Sequence, residues 1–140
     1  MTTRARGDAG TAVTETVLIV PVLIVLLLFV VFVGRITSAD HDVQASARDA
    51  ARAASVASSP DGAVAAAQST VTDTLAGRHV RCATLAVDVD TAAFTRDGNV
   101  GVTVHCTVSL ADVTGLAVPG SKLLTAHAVE VVDRFRGGLP

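Results

Sequence analysis

The chain has two cysteines, Cys82 and Cys106, and a histidine lies close to each, His79 before the first and His105 beside the second. Those types can make either a disulfide or a four-ligand zinc site. The zinc arrangement needs His79, Cys82, His105 and Cys106 around one ion. His105 and Cys106 are neighbours on an alternating run that reads as a strand, where successive side chains point to opposite faces, so both reach one ion only through a bulge. A Cys82–Cys106 disulfide is the expected outcome. It closes a loop of about 25 residues and contributes roughly 3 kcal/mol on the chain-entropy model. Three adjacent residues, Asp40, His41 and Asp42, are also ligand types. On a helix they diverge, and the reading is a surface cluster. No metal and no cofactor is expected.

The other reactive group is Glu15, which abuts an apolar run. From Thr16 to Gly34 no residue is charged, and nearly all are Val, Leu, Ile or Phe. As a helix this run reaches roughly 27–30 Å, the thickness of a bilayer's hydrocarbon core. A buried core helix, apolar all round, would need a much larger protein about it. Inserting a carboxylate costs about 2.5–3.5 kcal/mol at mid-bilayer and less at the edge, so Glu15 carries either a function or only a favourable charge at a helix N-terminus. Arg4 and Arg6 precede the span, whereas only Arg35 follows closely before Asp40 and Asp42. That bias places the N-terminus in the cytoplasm and the remainder outside the cell membrane, in a compartment where disulfides persist.

Gly10 followed by Thr11-Ala12-Val13-Thr14-Glu15 resembles the processing site of type IV prepilins. Arg6-Gly7, Glu15, Pro21 six residues later, and Gly34-Arg35 together resemble the layout of TadE-like proteins, pseudopilin or minor-pilin components of the Flp (tight-adherence) pilus machinery. Two positions depart from the common pattern: the run after Gly10 is not Ala-rich, and Thr16 stands where many members have Phe. The resemblance covers about the first fifty residues. It implies cleavage between Gly10 and Thr11 by a prepilin peptidase, and a role for Glu15 in meeting the new amine of Thr11 on another chain. Other pilin-like subunits, pilus assembly proteins and the lipid bilayer are the implied partners. Pro21 removes one helix hydrogen bond and is read as a kink, or as a proline tolerated in a membrane helix.

Beyond Arg35 the helical pattern continues, with Val43, Ala47, Ala50 or Ala51, and Ala54 on one stripe and Arg48 and Arg52 on a solvated face. Ser59-Pro60-Asp61-Gly62 breaks the pattern and starts a second helix, capped by Ser59, over about Asp61 to Leu75, with Gly77 stopping it. Alternation then takes over: Leu85, Val87 and Val89 form one strand, and Val100, Val102, Val104, Cys106 and Val108 a second. Arg96-Asp97-Gly98-Asn99 supplies turn chemistry between them. A third strand is expected from about Leu124 to Arg134, after the turn at Pro119-Gly120. The fold class is α+β: a long N-terminal transmembrane helix continuing outward, then a helix and a small antiparallel sheet. The expected organisation is a leader over 1–10, a span over 11–35, an outward helical extension over 36–58 and an extracytoplasmic domain over 59–140.

The chain's 140 residues carry a formal charge of -2, with no basic face for nucleic acid. Aromatic residues make up 3% of the chain, which leaves few large anchors for a ligand pocket. No nucleophile elbow, phosphate loop or zinc-protease motif is present, and His127 reads as a partly buried structural histidine, so enzyme activity is not expected. The leading function is a pilin-like structural or assembly component. Two others compete. In a secreted protein, Thr37-Ser38-Ala39 would serve as a signal-peptide site before Asp40, but the apolar run exceeds the usual signal length. An uncleaved, membrane-anchored binding domain would show a concave site with converging polar groups.

Overall fold

The computed structural model describes residues 9–133, with side chains from Val17 onward. Arg4, Arg6 and Gly7 of the leader, and Arg134, lie outside the described residues. The elements run α1 (Ala9–Ser55), α2 (Pro60–Gly77), β1 (Cys82–Asp90), β2 (Asn99–Ser109), α3 (Leu110–Thr114) and β3 (Ser121–Val131). The plan is α+β, a long apolar N-terminal helix followed by a second helix and a three-stranded antiparallel sheet of order β1-β2-β3.

The chain divides into two units, residues 1–34 and 35–140. In the first, α1 presents Val17 to Val33 almost wholly exposed, and the helix is long and apolar enough to cross a membrane. Such a surface in water would be strongly unfavourable, at about 25 cal/mol for each Å² of apolar area. Pro21 lies inside α1, which is helical on both sides of it. Its missing N–H deprives the Val17 carbonyl of its usual partner within the helix.

The second unit is built around the small side chains of α1 beyond Arg35. Ala39, Val43, Ala47, Ala50, Ala51 and Ala54 are buried, at the three- and four-residue spacing of one helix face. On α2, Ala63, Ala67, Val71 and Leu75 do the same. These side chains share one core with Val100, Val102, Val104, Cys106 and Val108 of β2 and with Leu124 and Ala126 of β3. Val104 pairs with both Val87 and Ala126, so this face continues across all three strands. Along β2, buried and half-buried residues alternate strictly, the pattern of a central strand covered on one side.

The boundaries differ from expectation at three places. α2 begins at Pro60 and continues to Gly77, with the Ser59 hydroxyl accepting from the Gly62 N–H at 3.1 Å. The left-handed residue after it is His79, at φ 58°, rather than Gly77. β3 starts at Ser121 and ends at Val131, because its register against β2 pairs Ser121 with Ser109. α3 was not apparent in the sequence: it is a five-residue turn of helix that uses Gly115, at φ 68°, to end. Between β1 and β2, Asp97 adopts φ 65°, and a Cβ on Gly98 would collide with the Ala93 carbonyl. That close approach lets the Asn99 amide donate to Ala93 and closes the turn.

Candidate functional site

Gly10, Thr11 and Glu15 lie on the first turns of α1. Their side chains are outside the described ones, so their place is given by the backbone alone. Positions 11 and 15 are one helical turn apart, about 6 Å along the axis. The Gly10–Thr11 peptide bond lies at the start of the described part of α1. Thr16 and then Val17 begin the apolar run directly after Glu15. The segment therefore joins an acidic residue to an apolar run without an intervening linker.

In the second unit Cys82 and Cys106 form a disulfide with Cα atoms 5.3 Å apart. A bulge between Cys82 and Thr84 displaces the register, so that Cys106 lies opposite Leu85 while Cys82 lies opposite Val108. The bond fastens β1 to the central strand. Cys106 is fully buried, and its neighbour His105 points to the other face, beside Asp88, with Nε2 3.6 Å from that carboxylate. The two ligand types are thus separated by the sheet. Among the described residues no group of three or more His, Cys, Asp or Glu side chains is arranged to hold a metal.

The uncovered sheet face carries a cross-strand polar row. Thr103 Oγ1 lies 3.0 Å from His127 Nδ1, and His105 Nδ1 lies 3.2 Å from Thr125 Oγ1. Each pair is directly opposite in register. His127 is exposed there rather than partly buried as expected, because positions 103 and 127 share the face that the helices leave open. Such pairs stabilise a sheet by roughly 0.2–1 kcal/mol each.

Asp40 accepts a hydrogen bond from Gln44 and Asp42 one from Arg78, so the Asp40-His41-Asp42 run is spent on surface pairing. Arg48 and Arg52 are exposed. Arg35, Asp42, Arg78, His79, Arg81 and Asp112 converge on an open concavity of about 280 Å³. Sequence reasoning did not assemble this group, since its members come from three segments. The run Arg78-His79-Val80-Arg81, in a unit otherwise rich in Asp, was the available signal.

Residues 10–52 match the TadE-like protein family. The match begins at Gly10, takes in Glu15, Pro21 and the apolar run, and ends within the buried Ala stripe of α1. No curated protein and no solved structure matches the chain.

Proposed function

From the premise that this chain is TadE-like over residues 10–52, we propose that it is a pilin-like structural or assembly component of a Tad (Flp) type IV pilus or a related secretion apparatus, anchored by one membrane helix. The observation that carries this reading is the junction at the head of α1: a Gly, a carboxylate five residues on, and then an apolar helical run that is exposed among the described residues. On this reading residues 17–33 cross the cell membrane, the N-terminus faces the cytoplasm, and the disulfide-bonded unit lies outside it.

A prepilin peptidase would cut between Gly10 and Thr11. Cleavage leaves a protonated amine on Thr11, four residues from Glu15. A carboxylate at the membrane edge is stabilised by a cation that shares its surroundings, and removing either partner leaves the other unpaired. Pairing between the Thr11 amine of one chain and Glu15 of the next would set the axial register of packed helices. Pro21 would add a place where the helix bends.

The test is the mature N-terminus, read by intact mass of protein recovered from membranes of cells that carry their own processing machinery. A start at Thr11 is expected, with Glu15→Ala leaving the chain in the membrane but outside the assembled apparatus. A start at Asp40 would instead make the apolar run a signal peptide. An intact N-terminus would leave a membrane anchor without prepilin processing.

A further inference from the structure

The second unit has two dissimilar poles. At one, α1 enters at Arg35, α2 ends, β1 and β3 begin, and β2 ends. At the other lie the end of α1, the β1–β2 turn and the end of β3, where Asp97, Glu130 and Asp133 line one hollow together with Arg52. Residues 35–133 contain eleven acidic side chains against seven Arg and Lys. Four of those seven, Arg35, Arg78, Arg81 and Lys122, nevertheless fall at the first pole.

Arg35 is the residue that directly follows the uncharged run, in the same helix, with no linker between them. It shares the 280 Å³ concavity with Arg78 and Arg81. Asp42, on that wall, is neutralised by Arg78 at 2.9 Å, which leaves Arg35 and Arg81 exposed across from it. Arg35 and Asp42 are two helical turns apart, about 10 Å. Asp112 lines the same cavity, and the connection that follows it, Gly115-Leu-Ala-Val-Pro-Gly120, bears no charge and exposes Leu116 and Pro119. A concavity lined by three arginines against two aspartates, beside an exposed apolar loop and containing the residue that follows the apolar run, has the composition of an interfacial membrane contact.

We propose that this pole is a phospholipid-docking surface: Arg35 and Arg81 hold headgroup phosphates of the leaflet from which the span emerges, while the loop around Leu116 rests in the interface. This rests on the anchoring reading above. Arginine suits the role because its fork binds two phosphate oxygens at once, and its stem can lie along the apolar boundary. The span delivers the pole to the surface at high effective concentration, so each weak headgroup contact is populated.

The experiment uses the full chain in lipid nanodiscs containing about one-third phosphatidylglycerol, doped with one of two photoreactive phospholipids, and peptide mapping after irradiation. A tail-positioned probe should label residues 17–33, which tests anchoring alone. A headgroup-positioned probe should label the 78–81 and 115–119 segments and spare 90–98. The double variant R35Q/R81Q should lose labelling at 78–81 by about fivefold or more, the change expected when a surface cation is removed. Retention of the Cys82–Cys106 bond, checked by alkylation and mass, shows that the variant is folded. Tail labelling at 17–33 with headgroup labelling spread equally over both poles, or unchanged in the double variant, would overturn the docking surface and leave the anchor standing. Absence of tail labelling would remove the anchor itself.

Discussion

Residues 17–33 and residues 39–54 belong to one helix, α1, and differ in a way opposite to simple hydropathy. The first stretch is Leu, Val, Ile and Phe, and nearly all of it is exposed; the second is largely Ala, Ser and Val, and its stripe from Ala39 to Ala54 is fully buried. Large aliphatic side chains turned outward on every side are a solution to lipid, which surrounds a helix uniformly. Small side chains on one stripe are a solution to close packing against protein, because they let the backbone approach its neighbours. Even Ser46 fits this second role: it is buried, and its hydroxyl donates to the Val43 carbonyl at 2.7 Å, so no polar atom is left open. One continuous helix thus carries two different surfaces, and the residue sizes change at the boundary marked by Gly34-Arg35.

The comparison breaks if the two stretches fail to melt independently. Reduction of Cys82–Cys106 is the strongest lever, because it acts only on the second unit. The bond joins positions 24 apart, for which the chain-entropy model gives roughly 3 kcal/mol. In detergent, urea titration followed by far-UV circular dichroism should show the strand signal lost at lower denaturant after reduction. The helical signal of residues 17–33 should persist. Simultaneous loss of both signals would mean that the first stretch depends on the folded unit.

A smaller effect comes from exchanging residue size across the boundary. Ala50→Leu places three extra carbons where exposure is zero, and overpacking of this kind lowers stability by about 1–3 kcal/mol. Leu26→Ala makes the reverse change in the apolar stretch and should leave unfolding of the second unit within about 0.5 kcal/mol. If the Ala50→Leu protein unfolds at the same urea midpoint as the parent, the Ala stripe is not close-packed.

The two stretches were also unequally legible. The apolar run was visible from composition, since lipid imposes a one-dimensional rule on every residue of a span. The Ala stripe and the alternation of β2 were visible from periodicity, because each element buries one face. What escaped depended on distant pairing. β3 was placed three residues late, as its bounds follow from register with β2, and the α3 turn depends on Gly115 ending it and on the Leu110 amide finding the Gly120 carbonyl. The concavity escaped for the same reason: Arg78 meets Asp42 across 36 positions, and no local pattern announces such a pair. The exposure of His127 is not legible from alternation, which gives two faces but does not say which one the helices cover.

The smallest effect expected lies at the start of α2, which shares the Ala-lined core but not the membrane. Ser59 has extended backbone, and its hydroxyl accepts from the Gly62 amide, while Pro60 occupies the first helical position and Asp61 adds a favourable charge near the helix N-terminus. Ser59→Ala removes the acceptor and leaves that amide to water, which costs about 1 kcal/mol. Ser59→Asp keeps an acceptor in place and should restore most of the loss. Because Ala63 and Ala67 carry the helix's contact with the core, fraying of the first turn should reach only as far as Ala63. Amide exchange should therefore quicken at residues 61–63 in Ser59→Ala and remain unchanged at Val71. Faster exchange at Val71 as well would show that α2 unfolds as one piece, and that its core contacts are weaker than the stripe on α1.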